Sequence, residues 1–586
     1  MLTKDALLAV FRLREDEGPS KLTTLAEAIR RHIRPGMAIQ ASGESGASLR
    51  ELVRQFYGTK PHFTLLIEQP GGTHALLAVH AGLVKRLVFT NCSDIYPAPS
   101  PNPIVQRAFR QKEVLFENWS VLTFLLRLMA GALGIGFMPT RSLVGTDAAI
   151  ENADSFQVID DPFGSGKKLG LVRAFNPDVA LIHGLAADAY GNTITAPFSA
   201  STRWGAKGSR HGAMVTVERL VSTEFIRKHA HLVTIPGHMV RAVVVAPLGA
   251  HPQYLADMGL PGLGYGLDTN YLRQFRAACE QPEGADAWLR EWVLECSDHA
   301  AYLRKLGDER AAALRRQGAA ENWDEQAAAL WEEVSIRENG YNGVEWQVVV
   351  AARRIRDAIV RAGYRTLFAG VGVSGLSGWL AYYLLRRAGQ HVDMLPMGIG
   401  FLPRPGDPFL LNLANVKTAA MVCETIDIHG TIVTGEYNSC LGVLGAGQVD
   451  KHGNINASKI SEQLYLAGMA GGNDIASGAR EVVVVARQAR SRFLERVTYL
   501  SQPGDRVSTL VSQLGIFEKR GGELVLTGYF PNAKLGTVAE HVAEIRANCG
   551  WDLQVASEIV AVAPPASEEL LLLRMLDPQG HFIGER

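Results

Sequence analysis

Only six cysteines occur in 586 residues, and none stands in a Cys-x-x-Cys pair or beside a histidine at zinc spacing. That distribution argues against a metal knuckle and a disulfide framework, and it fits a reducing cytoplasm. Neither charge is in excess. The 59 Lys and Arg balance 59 Asp and Glu, so no whole-protein field draws nucleic acid or an anionic membrane. Long apolar runs are missing as well. The longest, Leu128 to Met138, falls well below the roughly 18 residues needed to span a bilayer. The stretch from Met1 to Arg14 is too short in apolar residues and too charged for a signal peptide. The expectation is a soluble, cytoplasmic, metal-free chain whose partners are small molecules or its own kind.

What is present is glycine, 59 residues of it, in a chain that is 47% apolar; this composition suits an α/β enzyme with many tight strand-to-helix turns. The length exceeds one core, and internal repetition says how it is divided. LGAGQVDKHGNINAS, from Leu444 to Ser458, has a shorter copy at Leu185 to Pro197, LAADAYGNTITAP, with Asp188 and Asp450 262 residues apart. Each enters an Asp-x-x-Gly-Asn turn in which Asp can bond backbone NH groups and Gly is free to take positive φ. Two more blocks repeat in the same order. LTTLAEAIRRHIRPGMAIQAS matches QVVVAARRIRDAIVRAG with TLFAG, at an offset of 327. AMVTVE leads through a charged helix to Pro236-Gly237, as EVVVVAR leads through another to Pro503-Gly504, at an offset of 267. Matched blocks in one order predict two homologous α/β domains, residues 1–279 and 343–586, with an Ala-, Glu- and Arg-rich helical connector at 280–342. Each domain should carry a mostly parallel sheet covered by helices, with its site at the strands' C-terminal ends.

Several familiar motifs fail on inspection. Gly164-Ser-Gly166-Lys167-Lys168 lacks the first glycine of a phosphate loop, which is Asp161, and has Lys168 where Ser or Thr should bind the metal. Neither Ser45 nor Ser374 has the flanking glycines of a nucleophile elbow. Gly370-x-Gly372-x-x-Gly375 follows a predicted strand and opens a predicted helix, as a dinucleotide fingerprint would, but the candidate ribose ligand Asp393 begins its apolar run instead of ending it.

Assembled in order, the blocks resemble family I CoA-transferases of the glutaconate CoA-transferase type, with the two subunits fused. RPGMAIQASG, AGLVKRLVF, LMAGALGIGFMPTRSLVGTD, NPDVALIHGLAADAYGN and TIPGHMVRAVVVAPLGAHP look like the α subunit; VGVSGL, LGAGQVDKHGNINAS and GMAGGNDIASGA look like the β subunit. The resemblance implies two facing domains of the CoA-transferase/NagB-like fold, an acyl-CoA thioester between them, and a homodimer. It implies no permanently bound cofactor, coenzyme A entering as part of the substrate. Oxyanion donors would map to the turn Gly372, Val373, Ser374 and Gly375 and to the loop Gly471, Gly472 and Asn473.

In that family a β-half glutamate attacks the thioester. Here the strand that should end in it reads Met394-Leu-Pro-Met397-Gly398, and no Glu, Asp, Ser or Cys lies from Met394 to Leu402. The Met397 thioether cannot form an acyl anhydride. Two other carboxylates are candidates. Glu117 is expected at a helix N-terminus, where the dipole favours an ionised base. It resembles the catalytic glutamate of a branch that has lost the β glutamate, hydrolases that open steroid rings as CoA thioesters; another such branch resembles decarboxylases of unsaturated acyl-CoA. Glu68 occupies the pseudo-equivalent strand end of the first half, 329 residues before Met397. The leading expectation is hydrolytic C–C cleavage or decarboxylation with Glu117 as base and no glutamyl-CoA intermediate. The rivals are a CoA-transferase that uses Glu68 or Glu117, and a non-catalytic acyl-CoA-binding protein.

Overall fold

The computed structural model describes residues 3–11, 18–94, 96, 99–196, 200–319, 323–335, 340–396, 400–403 and 413–584. Its first half is built on a nine-stranded sheet. Four strands, β1 (Ala38–Ala41), β2 (Phe63–Ile67), β3 (Val84–Phe89) and β4 (Leu115–Asn118), pair in sequence order and in parallel. On the other side of β1 lies the strand Val179–Ala187, buried at all nine positions, then Ala213–Leu220 and Val240–Val245, again parallel. Runs such as VALIHGLAA lack polar alternation because helices cover both faces of a parallel sheet.

The second half repeats this order. Its sheet runs Asp393–Pro396, Thr366–Ala369, Cys440–Gly445, Glu481–Val485, Val507–Val511, all parallel, before an antiparallel extension through Gly515–Arg520 and Glu523–Tyr529. Strand for strand this matches β2, β1, Val179–Ala187, Ala213–Leu220 and Val240–Val245. The α/β doubling expected from the repeats is therefore present in the sheets themselves.

The paired Asp-x-x-Gly-Asn turns are also built alike. Asp188 Oδ1 accepts from the NH groups of Tyr190 and Asn192, and Asp450 Oδ1 from those of His452 and Asn454. Gly191 and Gly453 take φ of +99° and +81° and lie under Val240 and Val507, the first residues of matched strands. Asn192 and Asn454 each accept an NH bond from the glycine of a Pro-Gly pair, Gly237 and Gly504. His452 instead bonds the Gly522 carbonyl, 3.2 Å away. The turn that opens the repeat is a structural clip in both copies.

One local expectation needs correction. Residues 487–499 carry no helix: the charged segment is turn and bend around a two-residue strand, Phe493–Leu494, that pairs with Val449 and Asp450. Backbone pairing to the clip outweighs its helical composition. The connector is helical, as expected, over Pro282–Leu289, His299–Leu306, Asp308–Ala319 and Trp323–Ser335, and part of it is buried. Trp288, Trp292 and Tyr302 are buried in the first half's core, where Arg50 lies 3.6 Å above the Tyr302 ring. Among the described residues no helix is long and apolar enough to cross a membrane, and no group of three or more His, Cys, Asp or Glu is placed to hold a metal.

Candidate active site

The carboxyl ends of the first-half strands meet a loop from the second half. Cys92 NH donates to the Ala467 carbonyl and Ala470 NH to that of Thr90, while Val121 NH donates back to Ala470. Gly468 permits this approach, because a Cβ there would stand 2.4 Å from the Thr90 oxygen. Between the halves this leaves a cavity of about 570 Å³, within the size range of small-molecule sites. Its walls include Ser42, Glu68 and Gln69 from the first half, and Gly370, Phe368, His429, Gly471 and Gln502 from the second.

Glu68 follows the last residue of β2 and faces this space. Burial pushes its carboxyl up to about 7, against a hydrogen bond from Ser201, with Glu44 and Asp474 adding repulsion. A carboxyl of this kind exchanges protons near neutrality, the property asked of an acid–base group. The matched strand of the second half ends at Pro396, so the seat opposite in the repeat is the position after it. Met397 itself lies outside the described residues.

Glu117 is placed differently from expectation. It sits on β4, not at a helix N-terminus; the following helix, Val121–Leu133, is capped by Ser120 and Thr123. Its carboxylate is held by Arg86 and Arg127 and by Trp119 Nε1 at 2.7 Å. Arg127 is itself enclosed, stacked 4.2 Å over the Trp119 ring. Glu117 is not among the residues lining the cavity. Strand pairing with β3 is what the local pattern concealed, since FEN followed by a cap reads equally as a first helical turn.

The glycine segments divide similarly. Gly370 and Val371 line the cavity, whereas Gly372, at φ +66°, turns the chain into the helix Val373–Arg387, where Ser374 and Gly375 are buried. Gly375 is required by packing, as its Cβ would meet the Gly370 carbonyl at 2.6 Å. Gly471 and Gly472 line the cavity. The Asn473 side chain is turned into the contact between halves, accepting from Leu143 NH at 2.9 Å and donating to the Ser501 carbonyl at 2.8 Å. Asp393 is the first residue of its strand, which leaves the Gly370–Gly375 turn without a ribose carboxylate at the strand end.

Sequence reading missed His429 and Gln502, which flank the Gly471–Gly472 turn. A Cβ on Gly471 would stand 2.5 Å from His429 Cε1, and one on Gly472 2.3 Å from Gln502 Nε2. The only available signal was the glycine pair itself. Gly471→Ala should therefore cost about 1–3 kcal/mol through overpacking, measured as a lower urea midpoint.

Comparison with known proteins settles the family. The coenzyme A transferase family model matches residues 22–246. Over 326 residues the chain is 30% identical to the A-type subunit of glutaconate CoA-transferase from Acidaminococcus fermentans, covering 50% of this chain and 95% of that one. The chain belongs to the coenzyme A transferase family. It is also 27% identical to the B-type subunit of 3-oxoadipate CoA-transferase from Pseudomonas knackmussii, over 41% of this chain and 94% of that one. Relatives of both kinds thus match one continuous chain, as in a fused CoA-transferase. A crystal structure of an acyl-CoA transferase from E. coli O157:H7, a thioester complex with CoA, superposes with a TM-score of 0.65 at 13% identity, over 94% of this chain and 97% of that one; it shares the fold. The protein is an enzyme of the CoA-transferase superfamily.

Proposed function

We propose that this CoA-transferase-family enzyme acts on an acyl-CoA thioester in the cavity between its halves, with Glu68 rather than Glu117 as the reacting carboxyl group. The carrying observation is that Glu68 lines the cavity with its carboxyl pushed up to about 7, whereas Glu117 is engaged by Arg86, Arg127 and Trp119. A carboxyl half protonated near neutrality suits proton transfer better than attack as a fully ionised nucleophile. The reaction class is hydrolytic C–C cleavage or decarboxylation, without a glutamyl-CoA intermediate. In hydrolysis a proton must leave water and another must reach the carbon that departs. In decarboxylation one proton replaces the lost CO₂.

A second reading, CoA transfer through a Glu68 thioester, is favoured by one observation: β2 and the Asp393–Pro396 strand hold matched places in their sheets, so Glu68 stands at the pseudo-equivalent of the usual nucleophile's seat. Intact-mass measurement after incubation with an acyl-CoA panel separates the two. No covalent CoA on the protein is expected; an adduct at Glu68 that borohydride removes would establish transfer instead.

The pH profile identifies which proton transfer Glu68 performs. If it must be ionised to take a proton, kcat/KM falls as pH drops through about 7. If it must deliver one, kcat/KM falls as pH rises through the same value. Either limb should vanish in Glu68→Gln, and a limb that survives the substitution belongs to another group.

A further inference from the structure

His429 stands in the same cavity wall and has no assigned role. Its ring lies on the helical segment Ile426–Val433, packed against Gly471 and edge-on to Phe368 at 5.5 Å. The side chain is almost wholly buried, and Nδ1 has no hydrogen-bond partner. The nearest acid is Asp474, whose Oδ2 lies 3.7 Å from Nδ1. Asp474 is fully enclosed and fixed by Ser142 Oγ at 2.6 Å and by Leu122 NH at 3.0 Å. A carboxylate on that side favours the tautomer with the proton on Nδ1, which leaves the lone pair on Nε2, and the residue lines the cavity. Apo catalytic contacts are commonly longer than a finished hydrogen bond, so 3.7 Å is compatible with Asp474 orienting the ring.

We propose that His429 is a second acid–base group of the site, positioned by Asp474, which takes a proton from water while Glu68 gives one to the departing carbon in hydrolytic cleavage of a 3-oxoacyl-CoA. This rests on the reading above and selects its hydrolytic branch. Water loses a proton to His429 Nε2 and its oxygen bonds to the 3-oxo carbon. The bond between C2 and C3 then breaks, with its electron pair left on C2. The Glu68 carboxylic acid protonates C2, giving a carboxylic acid and a shortened acyl-CoA, and exchange with solvent returns both side chains to their starting states. No oxidant or metal enters this balance. The two environments push the groups in opposite directions: burial lowers His429 to about 4, so it is a neutral acceptor, while Glu68 is raised to about 7 and keeps its proton longer. A pair separated in this way marks the base and the acid.

The test uses the full chain and a panel of 3-oxoacyl-CoA thioesters that includes acetoacetyl-CoA, with products resolved by mass spectrometry in ¹⁸O-water and binding measured by calorimetry. Wild type is expected to place one ¹⁸O in the acid product. His429→Ala should lower kcat about 10²-fold with KM changed less than threefold, and added imidazole should restore part of the rate, which a merely structural role would not permit. Asp474→Asn, a positioning change, should lower kcat about tenfold without imidazole rescue. Thermal melts of each variant establish folding, and His429→Gln serves if the alanine variant does not fold. Unchanged kcat in a folded His429 variant, or thioesters that bind without cleavage, overturns this inference alone. Absence of binding by any thioester overturns the acyl-CoA reading with it.

Discussion

Glu68→Gln is expected to lower turnover of the enzyme's acyl-CoA substrate by about 10³-fold, within the range for loss of a positioned acid or base. The amide keeps the shape and can still meet Ser201, but it cannot carry a proton in either direction. A stability signature distinguishes this loss from misfolding. Because burial raises the folded carboxyl from 4.5 to about 7, the folded state binds its proton more tightly than the unfolded chain does. Folding therefore weakens as pH rises from about 4.5 through 7, and the penalty is fully present above 7. Glu68→Gln removes that penalty. The variant should melt above wild type at pH 8 and match it near pH 4, a stability gain paired with an activity loss, as at functional sites that hold a costly group. An inactive variant that melts below wild type at pH 8 would count against the assignment.

Glu117→Ala should have the opposite profile. It removes the carboxylate from between Arg86 and Arg127, of which Arg127 is almost wholly buried, and breaking a buried ion pair from one side costs about 3–5 kcal/mol because the remaining charge is uncompensated. Trp119 Nε1 would lose its acceptor as well. Chemical denaturation should reveal the loss, while the fraction that remains folded keeps kcat within a few fold. A Glu117→Ala protein as stable as wild type but inactive would return the catalytic role to Glu117, as the resemblance to the steroid-ring hydrolases implies.

Much of the architecture was readable along the chain. The Asp188 and Asp450 turns announced the duplication because the same clip, an Asp bonding two NH groups beside a positive-φ glycine, needs the same residues wherever it is built. The mostly parallel sheets were readable from strands alternating with helices in each half. Glu68 was placed at its strand end by counting between copies. Glu117 was assigned to the wrong kind of element because Leu115–Asn118 is short and its pairing with β3 is non-local. The segment after Val485 failed for a similar reason, its charged composition being outweighed by pairing with the distant clip.

The division follows from the range of the forces. Turn chemistry and apolar periodicity act between near neighbours, and together with the doubled order of blocks they already specified two like α/β halves; the family came from the resemblance of the assembled blocks. Which carboxylate faces the cavity depended on desolvation and on arginines 31 and 10 residues away, Arg86 and Arg127. His429 came beside Asp474 only where a buried contact between the halves brought Ser142 and Leu122 onto that acid. Burial and charge act through space, and only the folded chain sets those distances.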